Sequence, residues 1–324
     1  MISKVSPPKP SPCFFKALLT VGVLSSLVMS CGQDDAKTSQ TKITNGVATS
    51  HQEHPGVVLL LIDQQSICTA THISADLILT AAHCVDGNPA EVRVFQRDQN
   101  QFVMRTQAKT REGRADVHLK SGWEEAGCSA RYTRNCVKDD LAVVRVNAVP
   151  GEVGREVSAN GIDVGEEFTI VGWGNNVLIP AVDQVQNVQI HQQGSAEVLR
   201  AGRNVVAEKA DGAIFFTGLL YGNVDLDESL RMPIGWQRYD EVVDDVELYG
   251  REDGLEAGEE SVSGSGDSGG PMFNDDGELV GVTSGGFYVQ EDIEGSDRSR
   301  IRKYSQYVDL ASDGAKEFLR AWLP

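Results

Sequence analysis

The chain has 324 residues, long enough for a sizeable buried core, and its 40% of hydrophobic residues is ordinary for a folded globular body. Its formal net charge is −18 at pH 7, from 47 Asp and Glu against 29 Lys and Arg. Such a balance argues against a nucleic-acid partner, since phosphate binding needs clustered cations; the acidity serves solubility instead.

Residues 1–30 read as a targeting segment, with Lys4, Lys9 and Lys16 ahead of an apolar run at 17–29 that is too short for a membrane span. The run ends Leu27-Val28-Met29-Ser30-Cys31-Gly32. It resembles a bacterial lipoprotein signal, which would make Cys31 the lipidated first residue and give the mature protein a lipid anchor; a plain secretory signal is the alternative. Residues 32–42 are small and polar without periodicity, so 31–42 is expected to be a flexible tether or propeptide, with order beginning at Ile43. Of the six cysteines, Cys13 leaves with the signal and Cys31 takes lipid. Cys68, Cys84, Cys128 and Cys136 remain, and an even remainder in an exported chain predicts two disulfides. Three pairings are possible, and the local one, Cys68 with Cys84 and Cys128 with Cys136, is favoured. No metal-ligand spacing occurs among Cys and His, so no metal is expected.

Short β-rich runs follow at 57–62, 73–79, 91–95, 141–146, 168–171, 185–190, 213–216 and 279–282, separated by turn residues. This rhythm predicts an all-β barrel or sandwich. Only the end reads as helical: Ala315, Phe318, Leu319 and Trp322 recur at three- and four-residue steps, with Asp313 as the cap. Residues 223–260 carry thirteen acids against Arg231, Arg238 and Arg251, and are expected to be an inserted, solvated region. A calcium site is the alternative there, but the stretch lacks a twelve-residue loop of alternating acids with a central Gly.

The chemistry concentrates in Gly266-Asp267-Ser268-Gly269-Gly270-Pro271. A serine hydroxyl is a poor nucleophile at neutral pH and needs a base, a group orienting that base, and amide donors for the oxyanion. Gly266 can take positive φ and bring its N–H, with that of Ser268, to one point; the alternative is an ordinary Gly-rich turn. His83, in Thr80-Ala81-Ala82-His83-Cys84, has a side chain that titrates near neutral pH and suits the base. Asp140, ahead of Leu141-Ala142-Val143-Val144, suits the orienter.

Together, the run from Cys68 to Cys84, Asp140-Leu-Ala-Val-Val, Gly172-Trp173-Gly174 and the serine motif resemble the chymotrypsin/trypsin family of serine endopeptidases, from Ile43 to Pro324. The order His, Asp, Ser is that family's. The resemblance implies two six-stranded antiparallel β-barrels, at about 43–150 and 151–324, with a short C-terminal helix. It implies His83, Asp140 and Ser268 as base, orienter and nucleophile, the amides of Gly266 and Ser268 as oxyanion donors, and no cofactor. Cys68 and Cys84 flank the histidine as the family's disulfide does, whereas Cys128 and Cys136 are not a standard pair and would staple a longer loop. His51, His54, His72, His118 and His191 match no catalytic position.

Lys42-Ile43-Thr44-Asn45-Gly46 resembles the family's activation site, where an activating protease cuts and the new α-amino group of Ile43 pairs with Asp267. Thr44 and Asn45 depart from the usual valine and glycine. Val262 stands where trypsin-like enzymes carry a pocket-floor aspartate, Gly264 where a pocket-wall cysteine is usual, and Gly285, within the substrate-pairing strand Ser284-Gly285-Gly286, where a tryptophan is usual. An apolar floor and an open wall predict an uncharged, small or medium residue before the scissile bond. The expectation is thus a monomeric serine endopeptidase acting on protein or peptide substrates. Its rivals are a catalytically silent lipoprotein that keeps the protease fold for binding, and a passive surface lipoprotein working through its acidic stretch.

Overall fold

A computed structural model describes residues 43, 46–98, 101–174, 177–182, 188–193, 198–224, 237–238, 261–292 and 299–323. The targeting segment, Cys13, Cys31, the tether and most of the acidic stretch 223–260, with its calcium alternative, lie outside the described residues, as do residues 185–187 of one expected strand.

Six strands build the first barrel: β1 (Val57–Ile62), β2 (Ser66–His72), β3 (Leu77–Thr80), β4 (Val92–Asp98), β5 (Gln101–Gln107) and β6 (Ala142–Arg145). They pair antiparallel in the order β5-β4-β1-β2-β3-β6. The ring closes where Lys109 N–H donates to Arg145 O (2.8 Å) and Asn147 N–H to Gln107 O (3.0 Å). Val117–Leu119 lies along β6 as an added edge.

The second barrel comprises β7 (Glu167–Gly172), β8 (Arg200–Val205, resuming as Glu208–Ala210), β9 (Ala213–Val224), β10 (Pro271–Phe273), β11 (Leu279–Asp292) and β12 (Ser299–Asp309). Its order is β8-β7-β10-β11-β12-β9, closed by the second half of β8 on β9. The all-β, two-barrel expectation is what the structure shows. A short helix, α1 (Ala82–Val85), follows β3; α2 (Ser121–Glu125) and α3 (Asp313–Leu319) complete the described helices.

The unbroken apolar run of β1 has a physical cause. Val58, Leu60 and Ile62 point into the first barrel's core, while Val57 and Leu59 join a second cluster with Leu79, Leu141, Trp173, Phe273 and Leu310 between the barrels. A strand buried on both faces cannot alternate with polar residues. Burial of each such side chain contributes roughly 1.5–3 kcal/mol, and this shared wall fixes the barrels against each other.

Several local expectations are corrected. The run 73–79 is a strand only from Leu77; Ile73 N–H and Leu77 O (3.0 Å) belong to the turn before it. The α3 cap is Ser312, whose Oγ accepts from Ala315 N–H (3.4 Å), and Asp313 is the first helical residue. Trp322 lies beyond the helix end. Strands β2, β5, β8, β10 and β12 are additional to the runs read from the sequence.

Candidate active site

The cleft residues come from both barrels. His83 sits in α1, where Cys84 forms a disulfide with Cys68 on β2 (Cα–Cα 6.3 Å), tying the helix to the barrel wall. The second expected pair, Cys128–Cys136, also forms (Cα–Cα 5.8 Å) and closes the loop ahead of Asp140. Cys68, His83 and Cys84 are close enough to suggest a metal cluster, but their sulfurs are joined, which removes the thiolates a metal would need.

Asp140 follows a 3₁₀ turn at Arg134–Asp139 and is fully buried. A buried carboxylate needs donors, and this one has three. Its Oδ1 accepts His83 N–H (2.8 Å); its Oδ2 accepts from His83 Nδ1 (2.7 Å) and from Ser284 Oγ (2.5 Å). Ser284 reaches Asp140 because of a register shift between Thr283 and Gly285 on the β11–β12 ladder, the kind of bulge that re-aims a side chain. Tyr132 OH in turn bonds Ser284 Oγ (2.7 Å), and its ring meets His83 edge-on at 6.3 Å. Burial pushes the His83 pKa down, but the hydrogen bond and charge of Asp140, with Asp86 beyond, outweigh it and the net shift is upward.

The serine turn is docked onto β2. Thr69 N–H donates to Ser268 O (2.8 Å) and Thr69 Oγ1 to Gly266 O (2.8 Å). Gly269 has φ +79°, and a Cβ there would lie 2.9 Å from Ala81 N, so only glycine lets this turn approach the histidine segment so closely. Three of the turn's amides are used: Asp267 N–H donates to Gly264 O (3.1 Å), Gly269 N–H to Thr283 O (2.8 Å) and Gly270 N–H to Asp267 O (2.8 Å). Among the described residues, the N–H groups of Gly266 and Ser268 donate to no protein acceptor. Between His83 and Ser268 the described residues show no hydrogen bond; His83 Nε2 lies 3.9 Å from Cys84 Sγ.

Asp267 is buried, with Oδ1 accepting Gly174 N–H and Oδ2 accepting Gly264 N–H, both at 2.7 Å. A Cβ on Gly174 would stand 2.5 Å from the Asp267 carboxyl carbon, which explains the second glycine of the Gly-Trp-Gly motif. Ile43 is buried among second-barrel residues that include Val262, itself fully buried. Ser284 is buried, a Cβ on Gly286 would clash with Tyr304 O on the paired strand, and one on Gly285 would lie 3.2 Å from Tyr132 OH. Tyr132 and Thr69 carry no role that the sequence alone assigns, and Ser284 was expected on the substrate strand without its bond to Asp140. Only Tyr132 carried a signal, as the aromatic residue inside the Cys128–Cys136 loop.

Two antiparallel β-barrels with a part-exposed His held by a buried Asp and a tightly docked Gly-Asp-Ser-Gly-Gly turn at their junction define the architecture of a trypsin-like serine protease. The Trypsin family matches residues 43–216 and 247–309, and the chain belongs to that family. Mouse (Mus musculus) vitamin K-dependent protein C is 25% identical over 158 residues, 44% of this chain and 30% of that protein. The chain therefore spans less than a third of the length of this curated relative. Among solved structures, HL collagenase is similar with a TM-score of 0.50 at 16% identity, covering 86% of this chain and 97% of that one. A Glu endopeptidase in complex with MPD gives 0.49 at 14%, covering 86% and 96%.

Proposed function

We propose that this protein is a serine endopeptidase that hydrolyses peptide bonds through His83, Asp140 and Ser268. The observation that carries the reading is the buried Asp140 carboxylate gripping His83 by both its backbone N–H and Nδ1. That bond puts the imidazole proton on Nδ1 and leaves the Nε2 lone pair to act as a base. Ser268 Oγ attacks the substrate carbonyl carbon while His83 Nε2 takes its proton. The carbonyl oxygen, now an oxyanion, is received by the undonated amides of Gly266 and Ser268. His83 then protonates the leaving amine, leaving an acyl ester on Ser268. Water, deprotonated by the same Nε2, releases the acid and restores the hydroxyl. The Nε2–Oγ contact closes as substrate binds, as such bonds tighten in the Michaelis complex.

The enzyme is made as an exported, lipid-anchored zymogen and acts as a monomer. Cleavage after Lys42 by another protease frees the Ile43 amine to pair with Asp267, which rigidifies the oxyanion turn. The same cut separates the catalytic body from Cys31, with no spare cysteine left to hold the pieces, so activation releases the enzyme from the membrane. Cell fractionation before and after activation tests the release, and active enzyme staying with the detergent phase refutes it.

The central test is mass-spectrometric labelling of Ser268 by a fluorophosphonate, on soluble protein from Gly32 onward, before and after cutting at Lys42–Ile43. Labelling confined to the cut form, and absent in Ser268→Ala, is expected. No labelling of folded, correctly cut protein would leave a silent, protease-fold binding protein.

A further inference from the structure

The first barrel closes along only half of β5. Gln107 and Lys109 complete the ring, but among the described residues nothing pairs with the outer side of Gln101–Arg105. The division falls at a bulge: Val94 pairs with Thr106 and Phe95 with Met104, which leaves Arg105 with no residue opposite it on β4, and a bulge bends the strand that carries it. Sheets ordinarily protect an open edge with charge or proline; this one exposes three successive apolar side chains, Phe102 (39%), Val103 (40%) and Met104 (52%). Directly paired residues share a face, so Thr69, Leu59, Phe95 and Met104 form one row across β2, β1, β4 and β5. Its inner end is the serine turn, held by Thr69 through Ser268 O and Gly266 O. Leu59 and Phe95 pack in the cluster between the barrels, so only the outer end of the row is uncovered. Phe102, on the same face as Met104, rests against Trp173 with ring centroids 5.5 Å apart. Three interstrand steps of about 4.8 Å place this edge about 14 Å from the serine turn, the reach of about four to five extended residues.

Resting on the peptidase reading above, we propose that the open half of β5 docks the protein substrate downstream of the scissile bond. An extended substrate segment adds to the edge as a strand, with apolar side chains at alternate positions against Phe102 and Met104 and an acidic one beside the exposed Arg105. Main-chain bonds to the edge give affinity, and the alternate side chains give selection. The direction follows from the two flanks of the serine turn. Substrate before the scissile bond is assigned to Ser284–Gly286; the part after it is left to run out past Ile67, which shares the face of Thr69 and whose Cδ1 would lie 3.5 Å from a Cβ on Gly266. A second copy of this chain, pairing edge to edge, is the rival occupant.

The test uses cut protein whose Ser268 labels with fluorophosphonate, and peptides identical around the cleaved bond. One ends about three residues after it; the other continues to about ten, with Phe and Leu at alternate positions and a Glu between them. The long peptide should have a kcat/KM about tenfold or more above the short one. Met104→Lys and Phe102→Ser should each bring that ratio to near one, with labelling of Ser268 reporting that the variant is folded. A long peptide with Ser in place of Phe and Leu should lose the gain on wild-type enzyme, a result independent of any variant's folding. A labelled wild-type enzyme that cleaves long and short peptides equally well overturns the proposal without touching the peptidase reading. So does a length gain that survives in both variants. Sedimentation showing a concentration-dependent dimer that Met104→Lys abolishes, with no length gain, gives the edge to a second copy and overturns it too. No labelling of the wild-type protein removes the peptidase reading and this proposal together.

Discussion

Replacing Asp140 by Asn separates geometry from charge at the heart of the site. The side chain is isosteric, but one carboxylate oxygen becomes an NH₂ that cannot accept from both His83 Nδ1–H and Ser284 Oγ–H. The favoured response is for the amide to donate to Nδ1, which moves the imidazole proton to Nε2 and removes the base. In the general triad mechanism the same change is worth about 10⁴-fold in kcat, or about 5.4 kcal/mol at 1.36 kcal/mol per decade. The pH profile moves too. Burial alone lowers the His83 pKa, and it is the bond to and charge of Asp140 that reverse the shift. Asp140→Asn should therefore carry the acid limb of kcat/KM to lower pH, because the base must be neutral to work. Linkage gives the matching stability effect. The raised pKa of His83 adds stability that is present below its unfolded value near 6.5 and lost as pH rises through the folded value, and the variant forfeits it. Steady-state kinetics from pH 5 to 9 with melting curves at each pH provide the assay. An acid limb that stays in place, or a loss under tenfold, would refute the assigned role of Asp140.

Ser284→Ala removes a charge-assisted donor, worth about 1.5–3 kcal/mol when wholly lost, so kcat/KM should fall about ten- to hundredfold. Tyr132→Phe deletes only the neutral bond to Ser284 and should lower kcat by no more than about tenfold; a larger drop would mean the hydroxyl touches substrate. Removing the Cys68–Cys84 bridge by a double Ala substitution opens a 16-residue separation and should cost about 3 kcal/mol on the chain-entropy account, or a melting point lower by about 6–12 °C in calorimetry. Gly269→Ala forces a Cβ onto the Thr80–Ala81 segment at positive φ; fluorophosphonate labelling should vanish, and normal labelling would contradict the described turn.

The motifs around His83, Asp140 and Ser268 were legible because local chemistry constrains each of them. Glycines are required where backbone meets backbone, a cysteine staples the histidine helix, and apolar strands must follow each motif. The disulfides were equally legible, since their sequence separations are only 16 and 8. Taken in order, those motifs carried the resemblance to the family, and the resemblance implied the two barrels; the strand rhythm alone left barrel or sandwich open. Strand β12 was not legible, because its buried face carries Lys303 and Ser305, and a strand that hides polar groups shows no apolar periodicity. Nor could the sequence disclose that Tyr132 and Asp140 both bond Ser284, from 152 and 144 residues away. Sequence determined which residues could do chemistry; closure of the barrels and one bulge on β11 decided which of them meet. Long-range juxtaposition leaves no mark on neighbouring residues, because it arises from the packing of the whole wall between the barrels.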